Sequence, residues 1–184
     1  GYACGDVYFL KISPATGETL ISKRHAPNKW WANGGSILQL DDGSFIVGGK
    51  IRADKRNASN SAVWRFNHNG EMVWSQPWKG TASRENNDVH NENVSALALS
   101  PQRDAVIAVG FKYTRSGIEN QNGDMMAWSM DLNGTQKWVK RYEEPGVQVA
   151  SGITRIKNNR YLLSGRRWFI EIDSNGNFKK NHNE

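Results

Sequence analysis

Three Asn-Gly pairs, each set inside the same apolar outline, constrain the fold of this chain more than any other feature. In Ser61 to Trp74 (SAVWRFNHNGEMVW), Trp64 and Phe66 alternate with Arg65 and Asn67. His68-Asn69-Gly70 interrupts, and Met72 and Trp74 resume the alternation. Period-two alternation on both sides of a glycine turn predicts a half-buried β-hairpin. Ala127 to Trp138 (AWSMDLNGTQKW) repeats the outline, with Trp128 and Met130 before Asn133-Gly134 and Trp138 four residues past the glycine, as Trp74 is. Trp168 to Phe178 (WFIEIDSNGNF) is a third copy, with Ile170 and Ile172 before Asn175-Gly176. Val7 to Ile21 is a fourth, once one residue is inserted before Gly17. Asn-Gly accepts positive φ at both central positions at little cost, which predicts tight two-residue turns.

A second hairpin type lies between these. Ser36 to Gly49 (SILQLDDGSFIVGG), Ser95 to Gly110 (SALALSPQRDAVIAVG) and Gly152 to Gly165 (GITRIKNNRYLLSG) share an apolar run, a turn and a second apolar run closed by glycine. The closing glycines at 49, 110 and 165 are spaced by 61 and 55 residues. Calling this pair strands A and B and the Asn-Gly pair C and D, the chain reads CD followed by ABCD three times, fourteen strands in all. Periods of this size built from four strands are the mark of propeller blades. The predicted fold is all-β, with β-propeller blades of four antiparallel strands and about three and a half blades in a single domain over 1–184. The half blade covers about 1–21 and the repeats about 36–76, 94–141 and 150–184. Strand B residues Phe45, Ile46, Val47 and Val106 to Val109 are apolar in succession, as in a sheet covered on both faces.

The succession D-x-W-L-x-x-x-D-x-N-G-x-x-x-W followed by D-G-x-x-x-x-G resembles the propeller repeats of many secreted and surface-associated bacterial and archaeal proteins. Trp64 to Trp74, Trp128 to Trp138, Ile170 to Gly176 and Asp42 to Gly49 carry the likeness. It implies the fold and an extracellular or envelope setting, but no activity. Ser13 to Glu18 is similar to the D-x-x-T-G-K turn of quinoprotein blades, with Ser13 in place of aspartate and no adjacent cysteine pair, so no quinone cofactor is expected. Ser129 to Gly134 comes near the sialidase turn S-x-D-x-G with one residue too many.

No catalytic residue, metal ligand set or cofactor is expected. His25, His68, His90 and His182 have no spacing that brings two onto one strand face, and no strained G-x-S-x-G turn is present. Cys4 has no internal partner, and Gly1-Tyr2-Ala3-Cys4 reads as a processed start without a signal peptide. No apolar run approaches the roughly 18 residues of a membrane span.

Loop length is the more informative signal. The A-B and C-D turns are short, whereas Ser22 to Gly35, Lys50 to Asn60, Ser75 to Asn93, Phe111 to Gly123 and Tyr142 to Ser151 are predicted as long connections gathered on one face. That face is basic and aromatic, in keeping with a net charge of +6 and a pI near 9.5. Its predicted ligand-binding residues are Trp30, Trp31, Arg52, Arg56, Tyr113, Arg115, Arg166 and Arg167. Rings and guanidinium groups suit sugar faces and acidic polymers, and the interspersed acids argue against nucleic acid. N-x-S/T triplets at Asn57, Asn93 and Asn133 are glycosylation candidates.

The expectation is therefore a non-catalytic binding or assembly module that is secreted, on the cell surface or periplasmic. A glycan-active enzyme using the same face and a structural subunit of a surface assembly are the alternatives. Three and a half blades do not close a ring, so a second copy or another subunit is expected to complete it, and the isolated chain is not expected to be a stable monomer.

Overall fold

A computed structural model describes residues 6–25, 31–52, 59–77, 89–116, 120–143, 148–166 and 168–182. The described residues form fourteen antiparallel strands in four sheets, and no helix occurs among them. The first sheet is a hairpin of β1 (Val7–Ile12) and β2 (Thr19–His25). The second contains β3 (Trp31–Gln39), β4 (Phe45–Arg52), β5 (Asn60–Phe66) and β6 (Met72–Pro77). The third contains β7 (Val89–Leu99), β8 (Ala105–Ser116), β9 (Asn120–Asp131) and β10 (Gln136–Tyr142). The fourth contains β11 (Ala150–Ile156), β12 (Arg160–Gly165), β13 (Phe169–Ile172) and β14 (Phe178–Asn181). Each strand pairs with its neighbour in sequence, so every sheet is a meander.

The Asn-Gly turns differ from the two-residue turns that the sequence predicts. Positive φ is confined to the glycine, at 74° in Gly70, 88° in Gly134 and 76° in Gly176. The residue three before each glycine decides this. Asn67 Oδ1 accepts the N–H groups of Asn69 and Glu71, Asp131 Oδ1 those of Asn133 and Thr135, and Asp173 Oδ1 those of Asn175 and Asn177, all at 2.8–3.0 Å. Each glycine N–H then donates to the carbonyl of that same capping residue. A side-chain cap of this kind holds the intervening pair in a type I turn, and only the following glycine needs the left-handed conformation. A true primed turn occurs instead at Asn158-Asn159, with φ of 59° and 55°.

The repeated glycines of β4, β8 and β12, at 49, 110 and 165, have a steric reason. The partner strands β3 and β7 carry a register shift at Gly34/Ser36 and Val94/Ala96, and β11 one at Ala150/Gly152. There the partner backbone comes so close that a Cβ on Gly49, Gly110 or Gly165 would overlap the carbonyl oxygen of Asn33, Asn93 or Val149. Beyond these bulges pairing continues, so several predicted loops are strand. Trp31 opens β3, Arg52 ends β4, and Tyr113 and Arg115 lie on β8.

Three buried clusters separate the sheets in chain order. Val7 and Phe9 of the hairpin meet Trp64 and Phe66 of the second sheet. Ile46 and Val63 of the second meet Trp128 and Met130 of the third. Ile107 and Val109 of the third meet Tyr161, Ile170 and Ile172 of the fourth. A second contact repeats at the Asn-Gly turns. The Trp74 ring covers Gly134, and its Nε1–H donates to the Leu132 carbonyl at 3.2 Å; Trp138 covers Gly176 and donates to Ser174 O at 3.1 Å. At the first sheet Phe9 and Ile21 cover Gly70, and His25 Nε2 lies 2.8 Å from its carbonyl oxygen.

Two predictions follow from this packing. Trp64 and Trp128 are both fully buried at 0% exposure, so replacing either with alanine lowers unfolding free energy in a denaturant titration by about 3–5 kcal/mol. Half-buried Trp74 and Trp138 cost less when truncated. The second prediction concerns acid. Burial opposes the charge on Asp173, but the Asn177 N–H, the Lys179 ammonium, the Asn177 amide and the Asn175 N–H overcome it and hold the carboxyl at about 2. A depressed carboxyl stabilises the fold above its ordinary value of 3.8 and loses that contribution as pH falls towards 2. Asp173→Asn is therefore expected to cost about 1–2 kcal/mol at neutral pH, with the difference from the parent closing in melts taken towards pH 2.

Candidate ligand-binding cleft

One end of β4 meets the extended ends of β7 and β8 in an open cleft of about 310 Å³. Lys50 and Arg52 come from β4, and Ser59 from the residue before β5. Asn91, Glu92 and Asn93 come from β7, and Phe111 and Tyr113 from β8. Register brings these residues to one end of the third sheet: Asn91 pairs with Tyr113, Glu92 with Lys112 and Asn93 with Phe111. Lys50 and Arg52, two apart on β4, share a face.

Trp31 sets the position of the cations. It pairs with Arg52 across β3 and β4, and its ring centroid lies 5.0 Å from Lys50 Nζ and 5.8 Å from Arg52 Cζ. Cation–π contact holds both heads over one indole and limits their freedom. Arg52 Nε is buried without a hydrogen-bond partner. On the β7 side the Glu92 N–H donates to Ser59 O at 2.8 Å, and the Asn91 Oδ1 accepts from the Ser59 hydroxyl at 3.0 Å. These bonds fix β7 against the start of β5.

Glu92 is 2% exposed, and its Oε2 finds no partner. Burial pushes its carboxyl above the ordinary glutamate range, opposed by the charge of Lys112 and by the Ser61 N–H. The cleft thus joins two cations, two aromatic rings, two amides and a hydroxyl beside a desolvated carboxyl. It offers donors and charge for an anionic, hydroxylated ligand and flat surface for its ring.

Of the predicted site residues, Arg52 and Tyr113 line this cleft and Trp31 backs it. Arg166 is exposed just past β12 in the fourth sheet and is not among its lining residues. Trp30, Arg56 and Arg167 lie outside the described residues, as do the Arg115 side chain, Cys4 and the sequon residue Asn57. Asn93 is half-buried in the cleft, where its Nδ2 donates to Ser95 Oγ at 3.4 Å, and Asn133 is exposed in its turn. Sequence reasoning missed Ser59, Asn91, Glu92 and Phe111. The alternation of Asn91 and Asn93 against Phe111 and Tyr113 was available as a signal, but only to a reading that carried β7 and β8 past Asn93 and Gly110. Among the described residues no group of three or more acidic, histidine or cysteine side chains is placed to hold a metal ion. No helix there is long and apolar enough to cross a membrane.

The Glu92 carboxyl makes a testable demand on stability. A raised value favours the protonated folded form, so its contribution is complete below the ordinary glutamate range and is lost as pH rises through the folded value. Glu92→Gln keeps the acceptor for Ser61 and removes the buried charge. The variant is expected to melt above the parent at pH 7–8, by an equivalent of about 1–2 kcal/mol, with the advantage vanishing near pH 4.

No protein-family model matches the sequence, and no curated protein is similar to it. Among solved structures the fold is similar to the crystal structure, at 1.35 Å resolution, of a protein of unknown function from Bacteroides caccae. The TM-score is 0.58 at 10% sequence identity, over 95% of this chain and 53% of that one. This chain therefore spans about half the length of that neighbour. At such identity the likeness concerns the fold alone.

Proposed function

We propose that the four sheets are blades of a β-propeller, three complete and one half, and that the chain is a non-catalytic binding and assembly module of the cell surface or its surroundings. Three successive four-stranded meanders, stacked in chain order, support the blade reading. The observation that carries the binding function is the cleft between the second and third sheets, where Lys50, Arg52 and Tyr113 meet beside Trp31. Its ligand is an acidic glycan or similar anionic polymer. Cations held on an indole and aromatic rings set beside amides fit the carboxylate and the ring of an acidic sugar together.

A structural role in a larger assembly is the second reading, favoured by the apolar outer face of the first hairpin. Tyr8, Leu10 and Ile12 there are 59%, 53% and 54% exposed. The two readings are compatible, since they use different surfaces.

The binding reading is tested by titrating polygalacturonate or heparin against the protein at rising salt. Arg52→Glu is expected to weaken binding by about tenfold or more at low salt, with the difference shrinking as ionic strength rises. Its melting temperature is expected to stay close to the parent's. Equal loss of binding and stability identifies Arg52 as a structural residue instead.

A further inference from the structure

Several polar groups in the cleft between the second and third sheets are spent on one another. Asn91 Oδ1 accepts the Ser59 N–H at 3.2 Å and the Ser59 hydroxyl at 3.0 Å, and the Glu92 N–H donates to Ser59 O at 2.8 Å. Asn93 Nδ2 donates to Ser95 Oγ at 3.4 Å. Among the side chains that line the cleft, two buried atoms are left over. Arg52 Nε is a donor without an acceptor, and Glu92 Oε2 has no partner either, so the two do not satisfy each other. A buried group left unmet costs its full desolvation.

Each of these atoms is held where it is by a contact that does not use it. The Trp31 ring lies under the Lys50 and Arg52 heads, at 5.0 Å and 5.8 Å, and a π face offers Arg52 Nε no oxygen. The Ser61 N–H holds the Glu92 carboxylate, and Ser61 is the register partner of Lys50, so the carboxylate is anchored on the strand beside the cations. A ligand that meets both atoms therefore brings two different groups. At Arg52 it brings an acceptor, best an anion. At Glu92 it brings a hydroxyl. Burial raises the Glu92 carboxyl above its ordinary range against the charge of Lys112, and a hydroxyl, which both donates and accepts, serves the ionised and the protonated form alike. A sulfate or carboxylate oxygen in that place only accepts, and sets like charge against the ionised form.

We infer that Glu92 sets the ligand specificity of the cleft, which takes a hexuronate unit with its carboxylate at Lys50 and Arg52 and a free ring hydroxyl at Glu92 Oε2. The inference rests on the acidic-glycan reading and narrows it to uronate chains with uncapped hydroxyls, as against sulfated or O-acylated ones. A hexuronate carries its carboxylate and its hydroxyls on one ring, so a single unit supplies both groups. The volume of about 310 Å³ lies at the lower end for ligand pockets and suits one small unit of a chain. The cleft is open, which lets the rest of the polymer run out of it. Phe111 and Tyr113, from β8, add the flat apolar surface on which a sugar ring rests.

The probe is polygalacturonate, titrated by calorimetry at one ionic strength beside the same polymer O-acetylated at its ring hydroxyls, which keeps the carboxylates and caps the donors. In the parent, acetylation is expected to weaken binding by about tenfold or more, because a site built to bond a hydroxyl rejects the analogue that lacks it. Glu92→Gln retains a donor and an acceptor and is expected to keep the preference. Glu92→Leu has neither and is expected to bind the two polymers alike. Equal affinity of the parent for both polymers overturns the role of Glu92, since solvent then meets Oε2, and leaves the acidic-glycan reading in place. A preference that survives in Glu92→Leu overturns that role as well, because acetyl groups are then excluded elsewhere. No binding of either polymer overturns the acidic-glycan reading, and the Glu92 assignment with it. The comparison in the parent needs no variant, so it decides the matter even where Glu92→Leu does not fold.

Discussion

The contact on which the rest of this structure depends is the seating of one sheet's aromatic edge on the next sheet's glycine turn. An Asp or Asn three residues before the glycine satisfies two N–H groups of the loop. That leaves a flat backbone surface with an outward carbonyl and no side chain at the glycine. The indole of the preceding sheet lies on that surface and donates to the carbonyl beside it, Leu132 O for Trp74 and Ser174 O for Trp138. A Cβ at Gly176 would stand 2.7 Å from the Trp138 ring, and the left-handed φ of 76° already disfavours any other residue. One turn thus reverses its own hairpin and presents the dock for its neighbour.

Sheets joined in this way must stack in chain order, and the buried clusters between them follow. Each strand pair nearest a turn places large side chains on alternate faces, so a sheet contributes to the cluster behind it and the cluster ahead of it. Trp64 faces back towards the first hairpin, while Val63, the residue before it, faces forward. Arg65 continues the forward contact with polar chemistry: it binds Asp42 in its own sheet and the Leu132 carbonyl in the next, the latter at 2.9 Å. The same stacking opens the cleft at the other end, because the long β7–β8 pair runs past the bulges and lies against the ends of β4 and β5.

Much of this was legible in the sequence for a physical reason. Period-two alternation and turn glycines are local, so the strand count and the pairing of neighbours could be read from residues such as Trp128, Met130 and Gly134 alone. What lay hidden was non-local or depended on counting one position further. The cap at Asp131 and Asp173 was visible, yet attention to Asn-Gly as a pair suggested a primed turn that the cap rules out. The closing glycines at 49, 110 and 165 were seen as a repeat, but their cause is the bulge on the opposite strand. The cleft was the least legible part. Arg52 and Tyr113 were singled out for their chemistry, but the loops to which they were assigned are strands, and that pairing is what brings Glu92 and Ser59 to them.

The coupling between a turn and the indole of the preceding sheet is the central claim, and a double-mutant cycle on Trp74→Phe and Asp131→Ala measures it directly. Trp74→Phe removes the donor to Leu132 O, and Asp131→Ala removes the cap that fixes that carbonyl; the two residues sit in different sheets. Through-space coupling predicts a non-additive term of about 0.5–2 kcal/mol in unfolding free energy, because once the cap is lost the indole has no fixed acceptor. Strict additivity within error would contradict the account and reduce the turn and the tryptophan to independent local features.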